Sequence, residues 1–327
     1  MSEKKIKLYF DCDTGIDDAM ALGYLLAESD KVDILAIGTV CGNVAADAGA
    51  RNTLELARLA GFPAIPVAVG ERDYLRQAYL CDVQHIHGDN GIGDIALEAS
   101  HAKLAPLPAP ELLVELARAH PGELDILATG PLTNIAKALQ LEPALGELIG
   151  TLTVMGGAAL APGNRTPVAE ANIACDPEAA AMVFKAMKNI VMVPLDVTMS
   201  HTFEEADRLK LLSAESRFAQ AIGQMLERYI QFYINTYGRK ACALHDPVAA
   251  VLAVQGIGAC LAPNVKVTID DSDGPGRGQT LCDMRGRYMN YPPQPDANCH
   301  VVLSTELNMS ELLLAKLLSL PAEPHKQ

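Results

Sequence analysis

Basic residues are scarce in this chain. Lys and Arg number 26 against 40 Asp and Glu, a formal charge of −14 over 327 residues. Phosphate backbones are held by basic patches, so this balance argues against nucleic acid as a partner. None of the eight cysteines (12, 41, 81, 175, 242, 260, 282 and 299) forms a C-x-x-C pair, which argues against a zinc knuckle or a thioredoxin-like motif. Spread through a chain too large to need staples, they read as reduced, mostly buried thiols. No apolar run reaches the length of a membrane span. The opening "MSEKKIKLYF" has neither an apolar h-region nor a small-residue cleavage site. A cytoplasmic protein without a membrane partner is expected. A G-x-x-x-x-G-K-[ST] phosphate loop is also missing. No low-complexity linker and no internal repeat interrupts the chain, so residues 1–327 read as one domain.

What is present is a regular alternation. Half of the residues are hydrophobic, ample for a core. Apolar runs predict strands in "IKLYFDCD", "VDILAIGTV", "PAIPVAVG", "LDILATG", "TLTVMGG" and "NIVMVPLD". Between them, "DDAMALGYLLAES", "ADAGARNTLELARLAG", "PELLVELARAH", "PLTNIAKALQ" and "DPEAAAMVFKAMK" have helical spacing. Continuous apolar strands alternating with helices predict an α/β fold: an open, mainly parallel sheet covered by helices on both faces. Residues 70–108 read as a long loop and 203–240 as mostly helical. The rest reads as a helix "HDPVAAVLAV", strands "VKVTID" and "HVVLSTEL", and a closing helix "MSELLLAKLLSL".

The stretch "FDCDTGIDDAMAL" packs Asp11, Asp13, Asp17 and Asp18 into eight residues. Asp13 ends the first strand and Asp17 and Asp18 begin the next helix, the region where parallel sheets bind ligands. Aspartates suit a helix N-terminus, but that does not account for Asp13 at the apolar end of a strand. A desolvated carboxylate is costly unless paired, and the next basic residue is Lys31. Oxygen ligands without nitrogen or sulfur select Ca²⁺ or Mg²⁺. An aspartyl phosphatase motif, D-x-D-x-[TV], fails on spacing, because Gly15 stands where Thr or Val is required.

Four further polar islands follow predicted strands or precede a helix. They are "CGNV" with Asn43, "ATGPLTN" with Thr129, "GNRTPVAEANIACDPEAA" with Asn164, Glu170 and Asn172, and "LHDPVAAV" with His245 and Asp246. Each alone has a local explanation as a turn residue, a cap or a solvated side chain. Their recurrence at strand ends argues for one polar site.

These motifs, in this order from about Phe10 to Asp283, resemble the inosine–uridine preferring nucleoside hydrolases. The resemblance implies hydrolysis of a ribonucleoside N-glycosidic bond to free base and ribose. It implies a Ca²⁺ held by Asp13, Asp18, Asp246 and the main-chain carbonyl of Thr129, with Asp13 taking a proton from the bound water. Asp17, Asn43, Asn164, Glu170 and Asn172 match ribose-binding positions, and Met155, in the matching strand end, joins them as a substrate contact. His245 matches the residue near the leaving base, and His87 a loop histidine over the site. Tyr229 and Tyr233, four apart on a predicted helix, are either base contacts with a share in a proton relay or half-buried core. The proton for the leaving base therefore comes from His245 or from this pair. Positive charge building on the ribose as an oxocarbenium ion suits a site rich in carboxylates.

Two departures bear on the base. Ala171 stands where many family members carry an aromatic residue between the Glu and Asn of "PVAE-x-N", and Trp is absent. A pyrimidine-preferring or broad enzyme is expected, assembled as a dimer or tetramer, with a small-molecule ribonucleoside as its partner. The rival readings are a non-catalytic nucleoside- or ribose-binding protein on the same scaffold, and a hydrolase of another N-riboside such as nicotinamide riboside.

Overall fold

Alternation along Ile6–Cys12 (β1) decides which side of the molecule each side chain enters. Leu8, Phe10 and Cys12 join one buried apolar cluster and Tyr9 joins another on the opposite face, as the two-residue period of a strand requires. The computed structural model, which describes residues 4–322, extends this pattern to a sheet covered on both sides. After β1 come α1 (Ile16–Ala27), β2 (Val32–Thr39), α2 (Ala46–Leu59), β3 (Val67–Val69) and α3 (Ala109–Ala119). Next are β4 (Leu124–Ala128), α4 (Thr133–Leu141), β5 (Ile149–Met155), α5 (Pro177–Ala186) and β6 (Ile190–Val193). The chain ends with α6 (Arg217–Tyr237), α7 (His245–Gln255), β7 (Asn264–Val265), β8 (Cys299–Val301) and α8 (Met309–Ser319).

The main sheet has the order β7-β8-β6-β5-β4-β1-β2-β3. Only the β7–β8 pair is antiparallel. Helices α1, α2, α6, α7 and α8 cover one face, and α3, α4 and α5 the other. From β1 the chain moves outward through β2 and β3, then returns to β4 on the other side of β1. Connections leaving β1 and β4 therefore diverge, and a crevice opens beyond their carboxyl ends. In α6, Phe218, Ile222, Met225, Leu226, Tyr229 and Tyr233 are buried at helical spacing, which turns both tyrosines inward.

Several boundaries differ from expectation. The strand in "NIVMVPLD" stops at Val193, because Pro194 has no N–H for the ladder; Leu195–Thr198 is a short helix instead. "VKVTID" divides between β7 and Val267–Ile269, and the latter pairs with Thr280–Cys282. "HVVLSTEL" divides between β8 and Ser304–Thr305. The long loop holds one short helix, Gln84–His87. Among the described residues, no helix is long and apolar enough to cross a membrane.

Candidate active site

The turn after β1 sets the floor of the crevice. Thr14 takes a positive φ of 33°, and its hydroxyl is held by Thr53 Oγ1 at 2.9 Å. Gly15 follows as the N-cap of α1. A Cβ there would lie 2.5 Å from Asn43 Nδ2 and 2.7 Å from His87 Nδ1, so only glycine lets the turn close. Gly42 is required for the same reason: its Cβ would overlap Asp13.

A mesh of hydrogen bonds joins the carboxylates. Asn43 donates its backbone N–H to Asp13 Oδ2 at 2.8 Å and its Nδ2 to Asp13 Oδ1 at 3.0 Å. The same Nδ2 lies 3.2 Å from Asp18 Oδ2, which also accepts the Gly15 N–H at 2.6 Å. Asp18 Oδ1 accepts the Thr129 hydroxyl at 2.7 Å. Asp17 accepts the Tyr229 hydroxyl at 3.1 Å on Oδ2, while its buried Oδ1 has no partner. Burial pushes the carboxyls of Asp13, Asp17, Asp18 and Asp246 up, and repulsion from neighbouring aspartates adds to it at Asp13, Asp18 and Asp246. Glu170 is pushed up to about 7, again by burial first, against three backbone N–H donors that favour its charge.

Above this floor is a cavity of about 550 Å³, lined by Asp17, Asn43, His87, Thr129, Met155, Asn164, Glu170, Asn172, Tyr229, Tyr233, His245 and Asp246. Glu170 caps the short helix Ala171–Cys175. Asn172 donates to the carbonyls of Thr129, at 2.8 Å, and Met155, at 3.1 Å. Asn164 Oδ1 accepts the Ala171 N–H at 2.9 Å. Asp13 borders an adjoining recess of about 200 Å³, shared with Asn43 and Asn172. All the residues singled out in the sequence thus meet in one region, including partners more than 200 positions apart.

The upper wall is aromatic. Tyr229 and Tyr233 meet edge-to-face at 5.3 Å, yet their hydroxyls point to different partners. Tyr229 binds Asp17, and Tyr233 lies 2.9 Å from His245 Nε2. His87 packs against Tyr229 at 5.6 Å and accepts the Ile16 N–H on Nδ1 at 3.1 Å. Burial lowers His87 to about 4, which leaves its ring neutral near pH 7, and moves His245 in the same direction. Phe232 and His85, 5.7 Å apart, complete the outer wall with Tyr237.

The cluster suits a cation. Asp17, Asp18 and Asp246 each offer a carboxylate oxygen, and these oxygens lie within 4.8 Å of one another. Among the described residues, the one Lys or Arg lining the cavity, Arg165, is paired with Asp82. This trio differs from the ligand set that the resemblance implies, with Asp17 in place of Asp13. Asn43 donates one hydrogen bond to each oxygen of Asp13, which leaves each a further lone pair.

Several residues here escaped the sequence reading. Asn134 donates to Asp11 Oδ1 at 2.8 Å and to the Thr39 carbonyl at 3.1 Å, tying β1 to β2 beneath the floor. Thr198 reaches His245 Nδ1 at 2.9 Å. Both belong to runs just after strands, "TGPLTN" and "PLDVT", so the strand-end rule could have found them. Phe232 and His85 carried no such signal.

Comparison with known proteins identifies the family. Residues 8–311 match the family described as inosine-uridine preferring nucleoside hydrolase. A probable uridine nucleosidase 2 of Arabidopsis thaliana is 38% identical over 248 residues, 76% of each chain. The inosine-uridine preferring nucleoside hydrolase of Crithidia fasciculata is 31% identical over 309 residues, 93% of this chain and 94% of its own. The solved structure of a plant nucleoside hydrolase superposes with a TM-score of 0.89 at 30% identity, over 97% of this chain and all of the other. A nucleoside hydrolase built on a mainly parallel sheet is the class that fold and comparisons define. The chain belongs to the inosine–uridine preferring nucleoside hydrolase family. Its reaction is the hydrolysis of a ribonucleoside to base and ribose.

Proposed function

We propose that this hydrolase cleaves uridine or cytidine at least as efficiently as inosine, using calcium and Asp13 as the base. The observation that carries the reading is a floor of buried carboxylates, without Lys or Arg among the described residues, under a cavity lined by asparagines and a glutamate. Asp13, Asp18, Asp246 and the Thr129 carbonyl are the oxygen donors assigned to the cation, and such donors favour Ca²⁺ or Mg²⁺. When bound, the cation neutralises part of their repulsion and supplies Lewis-acid character at the floor.

Asp13 takes a proton from the attacking water. Its neighbour Asn43, donating to both carboxylate oxygens, orients it for that task. Asp17, Asn43, Met155, Asn164, Glu170 and Asn172 hold the ribose. As the glycosidic bond lengthens, positive charge grows on the sugar, and the ring of carboxylates and amide oxygens favours that charge. The departing base carries the electron pair away and requires a proton or a hydrogen bond. Tyr233 and His245, 2.9 Å apart, are assigned to that end. Tyr229, hydrogen-bonded to Asp17, is assigned to the ribose, and His87 to the lid over both.

Base preference rests on Ala171, which lines the cavity without an aromatic face, and on the absence of Trp. The name of the Arabidopsis relative points the same way. Ribose release from uridine, cytidine, inosine, adenosine and guanosine tests the assignment. A strong preference for adenosine or guanosine in kcat/KM refutes the pyrimidine assignment. The same proposal treats residues 1–327 as one domain, carried by a single large sheet. It places the protein in the cytoplasm, in keeping with eight free cysteines. It also assigns a dimer or tetramer, measurable by light scattering.

A further inference from the structure

The segment after β6 holds a residue whose only evident task is to grip His245. Pro194 ends the strand, and Leu195–Thr198 forms a short helix. Asp196 anchors this turn by accepting the N–H groups of Ala159, Leu160 and Ala161 at 2.7–3.1 Å. At its end Thr198 is fully buried, with its hydroxyl 2.9 Å from His245 Nδ1. The other ring nitrogen, Nε2, lies 2.9 Å from the Tyr233 hydroxyl. Two hydroxyls from different elements thus hold the imidazole at both ends.

The hydrogen inventory gives this arrangement a direction. A buried hydroxyl must place its hydrogen on an acceptor, and Nδ1 is the one the structure gives Thr198. A neutral imidazole carries a single N–H. With Nδ1 accepting, that hydrogen sits on Nε2 and points at the Tyr233 oxygen. The Tyr233 O–H is then directed away from His245, and Tyr233 lines the cavity. In the opposite tautomer Nδ1–H would donate to Thr198 Oγ1, and the threonine hydrogen would be buried without an acceptor.

We propose that Thr198 is a positioning residue: by occupying Nδ1 it fixes the rotation and tautomer of His245, so that a chain from Thr198 through His245 to Tyr233 donates toward the departing base. This rests on the reading that His245 and Tyr233 assist the leaving base. The chain stabilises the electron pair left on the base by hydrogen bonding alone and needs no net proton count of its own.

The test uses the calcium-loaded full-length enzyme with Thr198→Val, which removes the donor, and Thr198→Ser, which keeps it. The expected result for Thr198→Val is a roughly tenfold lower kcat with uridine, the rate equivalent of one neutral hydrogen bond. KM should hold, and p-nitrophenyl riboside, whose leaving group departs without help, should lose little. Thr198→Ser should restore the uridine rate. Nitrogen-15 spectra of ring-labelled histidine should show the Nε2–H tautomer for His245 in the wild type and in Thr198→Ser, and its loss in Thr198→Val. An Nδ1–H tautomer in the wild type overturns the proposal even if no variant folds. Equal losses on both substrates overturn it too, because they mark a structural role. If His245→Ala turns over uridine normally, the underlying leaving-group reading has failed. An unchanged tautomer in Thr198→Val beside an inactive His245→Ala refutes the positioning role alone.

Discussion

The two ends of β1 treat charge in opposite ways. At the amino end Lys4 and Lys7 reach Glu123 at 2.5 and 2.7 Å in the open. Hydrogen bonds from both lysines hold the Glu123 carboxyl down at about 2. At the carboxyl end, a few residues away, Asp11 and Asp13 are almost fully buried. Burial raises Asp11 to about 7, and among the described residues no basic side chain answers either residue. The same strand thus begins with a solvent-screened ion pair, which contributes little, and ends in carboxylates whose desolvation costs the fold. Stability does not explain the second arrangement; the cation and the cationic transition state proposed for this site would.

The sharpest way to break this contrast is at Asp13. Asp13→Asn keeps the shape and one ligand oxygen but loses the base, and kcat should fall at the upper end of the roughly 10²–10⁴-fold range for acid–base residues. Asp13→Ala should also weaken calcium binding, measured by elemental analysis after dialysis. An Asn variant that turns over like wild type would remove Asp13 from the mechanism.

His245→Ala comes next. The kcat for uridine should drop by roughly 10²–10⁴-fold, and less for p-nitrophenyl riboside. Equal losses for both would mark a structural histidine. If the tyrosines supply the proton instead, Tyr233→Phe will carry the leaving-group dependence and His245→Ala will be nearly silent.

Removing the metal tests the electrostatic side. Exhaustive chelation should abolish activity and lower Tm. Calcium at a hundred times its Kd should restore about 2.7 kcal/mol. Full activity after chelation, with no calcium in the purified protein, would refute the cation.

A smaller effect is the pH dependence of the chelated protein. Burial raises Asp11 and Glu170 to about 7 in the fold, against ordinary values of 3.8 and 4.5. Between those values the folded state binds protons that the unfolded chain does not, so stability falls as pH rises. His87, lowered to about 4, and His245 act oppositely, but only below 6.5. The Tm of the chelated protein should therefore decline from pH 6.5 to 8, and calcium should flatten the curve. A Tm that rises across this window would contradict the buried carboxylates.

The smallest effect belongs to the other end of the strand. Glu123→Gln should leave kcat and calcium content unchanged and Tm nearly so, with any change abolished by salt.

Local chemistry determined much of this protein in advance. The two-residue period of β1, the run of apolar strands and helices, and the aspartates at a strand-to-helix turn are encoded by neighbours in sequence. From them the layered α/β fold and the location of a polar site follow. Spacing alone also eliminated the phosphatase and phosphate-loop readings. Tertiary structure decided what depends on distant partners. Tyr229 and Tyr233 share one helical face, yet only folding gave Tyr229 to Asp17 and Tyr233 to His245, because their hydroxyls meet groups from different elements. Asn134 beneath Asp11 and Thr198 beside His245 lie 123 and 47 positions from their partners. A hydrogen bond depends on position and direction in space to within a fraction of an ångström. Residue types and spacings along the chain carry no such information between elements that meet only through packing.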